Sequence, residues 1–223
     1  MRGPLGNWRS YRDRQPAAAL RDAVPIPRLV LGAIYLVGLM IAEGLRLPWR
    51  LRRVQSREAW RAPGGRRSLP EMLIMSAVLV GIWILPAVYV FTDWLDGLDY
   101  SLPAWAAWAA IGVFVLGLLL RWRAQTDLGR AWSPTVELAD RHRLVTEGIY
   151  ARIRHPLYAS LILWGAAQPI LLQNLLAGWG GALAVLLIWV IRVPAEEKMM
   201  LEQFGEEYAQ YMRRTGRAIP RLW

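Results

Sequence analysis

The sequence predicts an all-α, polytopic integral membrane protein of about five transmembrane helices, ending in a helical hairpin and a cytoplasmic amphipathic helix. Three observations carry this fold class. Hydrophobic residues make up 55% of the 223, above the roughly 45–50% usual for a soluble globule. They gather into five apolar runs, 29–42, 71–91, 103–122, 157–172 and 175–191. The basic residues, which bring the formal charge to +10, flank those runs instead of mixing with them.

Each run can be justified in turn. A bilayer core of about 30 Å takes roughly 20 helical residues, which the second and third runs supply. The fourth and fifth are shorter and are separated only by Gln173 and Asn174, so they read as an antiparallel hairpin. Gly165, Gly178, Gly180 and Gly181 would let its backbones approach closely. Arginine placement then sets the orientation. Arg46, Arg50, Arg52, Arg53, Arg57, Arg61, Arg66 and Arg67 assign the first connector to the cytoplasm. The next connector, with Asp93, Asp96 and Asp99 and no basic residue, belongs outside. The stretch from Arg121 to Arg154 is inside again, and the hairpin returns the chain there at Arg192.

The first run fits less well. Its apolar residues stop at Glu43, and spanning would leave an arm carrying Arg2, Arg9, Arg12, Arg14, Arg21 and Arg28 outside. Five spans are expected, with four spans and a surface helix as the alternative. The arm has neither the compact apolar stretch nor the cleavage site of a signal peptide. Residues 1–127 read as the arm and first three helices, and 128–223 as the hairpin and its flanks within the same structural unit.

After the last run, residues 195–214 have the pattern of an amphipathic helix that Pro194 starts or kinks away. Leu201, Phe204, Tyr208 and Tyr211 recur at spacings of three and four, and the same stripe reaches back to Glu197. A carboxylate on such a stripe requires a cationic or hydrogen-bonding partner.

Composition removes several function classes. With no Cys and only His142 and His155, thiol nucleophiles, Cys-rich metal centres and multi-histidine sites are excluded, so no metal is expected. Basic residues that border apolar runs argue against nucleic-acid binding. No phosphate loop, dinucleotide fingerprint, nucleophile elbow or HExxH occurs. Lys198 is the only Lys among 27 basic residues, a bias that hints at a bacterial source and hence an inner (cell) membrane.

Polar residues concentrate in two places that abut the hairpin. One runs from His142, Arg143, Leu144 and Val145 through Tyr150 to Arg154, His155, Pro156, Leu157 and Tyr158. The other comprises Arg192, Glu196 and Glu197, then Phe204-Gly205-Glu206-Glu207-Tyr208. A hairpin brings its two ends together, so Arg154, His155 and Arg192 should share one side of the membrane. Each residue also has a structural reading. Arg154-His155-Pro156 suits an interfacial anchor with Pro at a first helical position. The tyrosines suit an aromatic belt, and the two glutamates suit the first turn of a helix.

The run LVTEGIYARIRHPLY, the apolar hairpin, R-x-x-x-E-E, F-G-E-E-Y-x-x-Y and a terminal I-P together resemble the isoprenylcysteine carboxyl methyltransferase family, with RHP-x-Y and Glu-Glu shared by phospholipid N-methyltransferases. The similarity spans residues 128–220. It implies methyl transfer from S-adenosylmethionine to a lipophilic acceptor, at a site on the cytoplasmic membrane face. By position, the resemblance assigns His142, Arg143, Leu144, Val145, Tyr150, His155, Pro156, Leu157, Tyr158 and Glu196 to the cofactor and Arg192 to the substrate. Arg154 and Glu197 join Arg192 as candidates for the chemistry, and the stripe argument keeps Glu197 beside Glu196 as a possible cofactor contact. A carboxylate acceptor, as in isoprenylcysteine, is favoured. The alternatives are an amine, phospholipid or thiol acceptor, a sterol-reductase-like enzyme, and a non-catalytic membrane scaffold. One departure stands out: the family has Gly two residues after the RHP-x-Y tyrosine, and this chain has Ser160.

Overall fold

A computed structural model describes residues 26–55, 69–128 and 144–221. The N-terminal arm, the Pro63-Gly64-Gly65 turn, His142 and Arg143 lie outside them. Helix α1 is Arg28–Gln55. Helix α2 joins Leu69–Val78 to Leu85–Phe91 through a π-helical turn at Leu79–Ile84. Helices α3 (Ala104–Leu128) and α4 (Pro156–Leu172) follow. Helix α5 is Leu175–Leu187 extended by a π turn at Ile188–Arg192, and α6 is Val193–Arg214.

The first run does cross the bundle. Gly32 lies against Val90, the Tyr35 hydroxyl lies 3.0 Å from the Ile82 carbonyl, and Gly38 faces Phe114, so α1 runs antiparallel to α2 through its depth. It does not stop at Glu43 because Arg46, one turn on, pairs with that carboxylate at 2.8 Å. Among the described residues four helices are long and apolar enough to span a membrane, Arg28–Pro48 among them, and Pro156–Leu172 is a shorter apolar helix.

The two ends of the bundle are distinct. At one end Arg28 donates to Asp96, to the Tyr89 carbonyl and, at 2.8 Å, to that of Thr92. There the hairpin turns in two residues: Gln173 takes a left-handed conformation (φ 47°), and the Asn174 side chain accepts from the amides of Leu176 and Ala177 to cap α5. Asn174 also donates to Leu95 and Asp99, tying the hairpin to the acidic connector. The opposite end gathers 144–156 and 192–217.

Between the ends lies a polar contact that the apolar patterning gave no sign of. Gln168 of α4, fully buried, donates to the carbonyls of Gly81 (2.8 Å) and Ala177 (2.6 Å) and accepts from the Tyr35 hydroxyl (2.8 Å). The π turn of α2 presents the Gly81 carbonyl to it, since a π turn displaces the regular helical pairing. Gly180 and Gly181 make room: an added Cβ at Gly180 would press on Leu85 and Gly81, and one at Gly181 would overlap the Gln168 amide. Thus the close approach expected at these glycines joins α5 to α2 as well as to α4.

Candidate active site

The chain enters the site through a 3-10 turn at Gly148–Ala151. Gly148 has φ +61°, and a Cβ there would strike the Asp127 carboxylate, which accepts the Ile149 amide at 2.7 Å. This turn fixes Tyr150, which is buried and whose carbonyl accepts the Tyr211 hydroxyl at 2.7 Å. Burial foremost, then Tyr211, Asp127 and Glu196, pushes the Tyr150 hydroxyl far above its ordinary range, so it stays protonated. Leu144 packs with Tyr208 and Tyr211 in a second, smaller apolar cluster. Val145 is half-buried beside it.

His155 caps α4 and Pro156 occupies its first turn, as expected of a residue with no N–H to lose. The amides of Arg154 and His155 are held by the Gly216 and Arg217 carbonyls at 2.8 and 2.9 Å, so the tail after α6 runs beside the start of α4. Each guanidinium nitrogen of Arg154 bonds inside the protein: Nε and Nη2 on Glu197 (both 3.1 Å), Nη1 on the Met212 carbonyl (3.1 Å) and on Thr215.

The two adjacent glutamates have opposite surroundings. Glu197, 5% exposed in its side chain, also contacts His155 Nε2 (3.3 Å) and accepts two donors of Arg217, the shortest contact 2.6 Å. Burial works against its charged form, but hydrogen bonds from His155, Arg217 and Arg154 win and hold the carboxyl at about 2. Glu196, 20% exposed, uses one oxygen: Oε1 accepts from Arg192 Nε at 3.0 Å and from the Tyr158 hydroxyl. Among the described residues its Oε2 takes no hydrogen bond. The expected partner for a carboxylate on the stripe is therefore real, and it is threefold. Arg217, half-exposed, belongs to this knot and was not foreseen, because nothing in its spacing marks it.

The stripe itself is only partly observed. Val193, Glu197, Tyr208 and Tyr211 are buried, whereas Leu201 is exposed. Gly205, whose φ of 51° and ψ of −126° break α6, separates the half that carries Glu197 and Leu201 from the half that carries Tyr208 and Tyr211. Pro194 continues α5 into α6 without a break, the adjustment being made by the π turn before it. Ser160 is fully buried, and its hydroxyl bonds back to the Leu157 carbonyl at 2.6 Å, so it leaves no polar group facing its neighbours. Leu157 and Tyr158 are half-buried on α4, the latter's ring 5.7 Å from that of His155. Among the described residues no group of His, Asp and Glu could hold a metal ion.

An all-helical membrane protein whose polar side chains meet at one end of a five-helix bundle is the class that fold and site define. The model of the family described as Isoprenylcysteine carboxyl methyltransferase (ICMT) matches residues 110–202, from within α3 to within α6. Protein-S-isoprenylcysteine O-methyltransferase B of Arabidopsis thaliana is 29% identical over 118 residues, 52% of this chain and 60% of its own length. Protein-S-isoprenylcysteine O-methyltransferase of Homo sapiens is 33% identical over 160 residues, 68% of this chain and 56% of its own. The chain thus spans less than two thirds of these relatives. A solved eukaryotic intramembrane Ras methyltransferase ICMT aligns with a TM-score of 0.58 at 22% identity, over 92% of this chain and 73% of that one, which shows a shared fold. Residues 110–202 thus resemble the isoprenylcysteine carboxyl methyltransferase family.

Proposed function

We propose that this protein is a membrane methyltransferase that uses S-adenosylmethionine to methylate the carboxylate of an isoprenylcysteine-like amphiphile at the cytoplasmic face. The observation that carries this reading is the division of labour between Glu196 and Glu197. Glu197 is saturated by Arg154, Arg217 and His155 and holds α4, α6 and the tail together. Among the described residues Glu196 keeps Oε2 without a hydrogen bond, beside Arg192 and Tyr158.

The donor set fits the cofactor. A carboxylate with an unused oxygen suits an ammonium, and tyrosine faces attract a sulfonium by roughly 0.5–2 kcal/mol. When bound, the cofactor supplies an electrophilic methyl group. Glu196, Tyr158 and Tyr150, with Leu144, Val145, His155, Pro156 and Leu157 around them, would hold it, and His142 and Arg143 are assigned there by the resemblance. Arg192 holds and aims the acceptor, for which a guanidinium fork is well shaped. A carboxylate acceptor is ionised at neutral pH, so no side chain has to remove a proton. Catalysis therefore rests on bringing the reacting atoms to about 3–3.5 Å in line. Arg154 and Glu197 act as positioning residues in this reading.

The test is incubation of purified protein with methyl-labelled cofactor and an N-acylated S-prenylcysteine. Label in a base-labile methyl ester is the expected result. Label only in amine or thiol products would move the reading to those acceptors, and no cofactor binding at all would overturn it.

A further inference from the structure

Residues 104–128 carry two polar side chains that the proposed chemistry does not use. Arg121 is 6% exposed and Gln125 2%, one turn apart on a single face of α3. Among the described residues the Arg121 Nε, both amide atoms of Gln125 and the Nε1 of buried Trp164 have no hydrogen-bond partner. The Arg121 guanidinium stands 5.2 Å from the centre of the Trp164 ring, and Trp164 packs where a Cβ on Gly117 would sit. The charges of Glu43 and Arg46 on α1 act on Arg121 as well. Four polar atoms without a partner among the described residues, spread over the two turns of α3 from Gly117 to Gln125, are a defect, since a buried group left unpaired replaces none of the hydrogen bonds water gave it. An ionisable side chain inside a spanning helix also marks a functional position more often than a structural one.

We propose that Arg121, Gln125 and Trp164 form a seat for the amide group that neighbours the reacting carboxylate of the acceptor. This rests on the methyltransferase reading above. The inventory of the seat selects an amide. Arg121 Nε–H, the Gln125 NH2 and the Trp164 N–H are donors for a carbonyl oxygen, while Gln125 Oε1 is an acceptor for an N–H. A carboxylate would leave that last oxygen unanswered. Position agrees: Arg121 precedes Asp127 by six residues and Trp164 follows Tyr158 by six. Arg121 and Trp164 therefore lie about 9 Å deeper than the groups at the site, and Gln125, two residues from Asp127, about 3 Å deeper. An amphiphile entering between the helices has its acid and amide joined through one carbon, so it would meet the seat first through Gln125.

The test compares two acceptors that share tail and carboxylate: an N-acylated S-prenylcysteine, and the S-prenyl-3-thiopropionic acid that lacks the amide. For the unaltered protein kcat/KM favours the amide-bearing acceptor, and Gln125→Leu and Trp164→Phe each reduce that preference by roughly three- to tenfold. Turnover of the amide-free acceptor changes less than twofold. Trp164→Phe keeps the ring and deletes only the N–H, so it carries the test if Gln125→Leu does not fold. A preference near one in the unaltered protein, or both acceptors falling together in the variants, overturns the seat. If neither acceptor is methylated, the methyltransferase reading fails, and the ratio of the two equilibrium Kd values, measured in detergent, still decides the seat by the same criterion.

Discussion

Two buried glutamines occupy different layers of one bundle and are treated in opposite ways. Gln168, in the middle, is bonded to three helices besides its own, through Tyr35, Gly81 and Ala177. Gln125, toward the site end, is equally buried, and its side-chain amide has no hydrogen-bond partner among the described residues. The same split recurs at the surface of that end, where Glu197 is saturated and Glu196 is half used. Groups with every bond made hold helices together, and groups with bonds to spare stand where a ligand is proposed. Stability and binding are thereby written on different, often adjacent, residues.

The strongest way to break this comparison is Glu197→Gln, which leaves Arg154 buried without its counter-charge. A loss of about 3–5 kcal/mol is expected, measured as a lowered thermal unfolding midpoint in detergent. The pH dependence follows with a definite sign. The carboxyl is held at about 2 in the fold against an ordinary 4.5, so its contribution is complete above 4.5 and disappears as pH falls toward 2. Acid sensitivity in that window should be absent from Glu197→Gln. Next comes Gln168→Leu, which removes the amide donor of the Gly81 and Ala177 carbonyls, leaves the Tyr35 hydroxyl only the Ile82 carbonyl, and should cost about 1–3 kcal/mol with no change in cofactor affinity. Gly205→Ala probes backbone alone, since no atom stands within 4 Å of an added Cβ. A residue forced to φ 51°, ψ −126° costs about 1–3 kcal/mol. An unfolding midpoint unaltered by this change would show that the break in α6 is not needed to seat Tyr208 and Tyr211. Smallest in stability is Glu196→Gln, expected to shift unfolding by less than about 0.5 kcal/mol while weakening cofactor binding.

Much of this was legible before any coordinates. Apolar runs of bilayer length gave the helices, the two-residue Gln173-Asn174 link gave the hairpin, and a carboxylate on an apolar stripe announced that Glu197 needs a partner. What stayed hidden was contact between elements distant in sequence. Nothing in a 17-residue apolar helix says that Gln168 meets a π turn 87 positions earlier. The π turns leave no local signature, and Gly205 reads as an ordinary break until its φ is seen. Glu43 marked only where the apolar run stops, and periodicity does not reveal that Arg46 pairs with it within the same helix. The partners of Glu197 could be anticipated in kind, whereas Arg217 depended on the tail folding back.

The most direct measurement of the division between the two glutamates is equilibrium binding of S-adenosylmethionine to the purified protein beside Glu196→Gln and Arg192→Ala. The unaltered protein should bind, and Glu196→Gln should bind about tenfold more weakly with its unfolding midpoint unchanged. Arg192→Ala should keep cofactor affinity and lose methyl transfer. Undiminished binding in Glu196→Gln, or equal loss of binding in Arg192→Ala, would contradict the assignment of these residues to separate ligands.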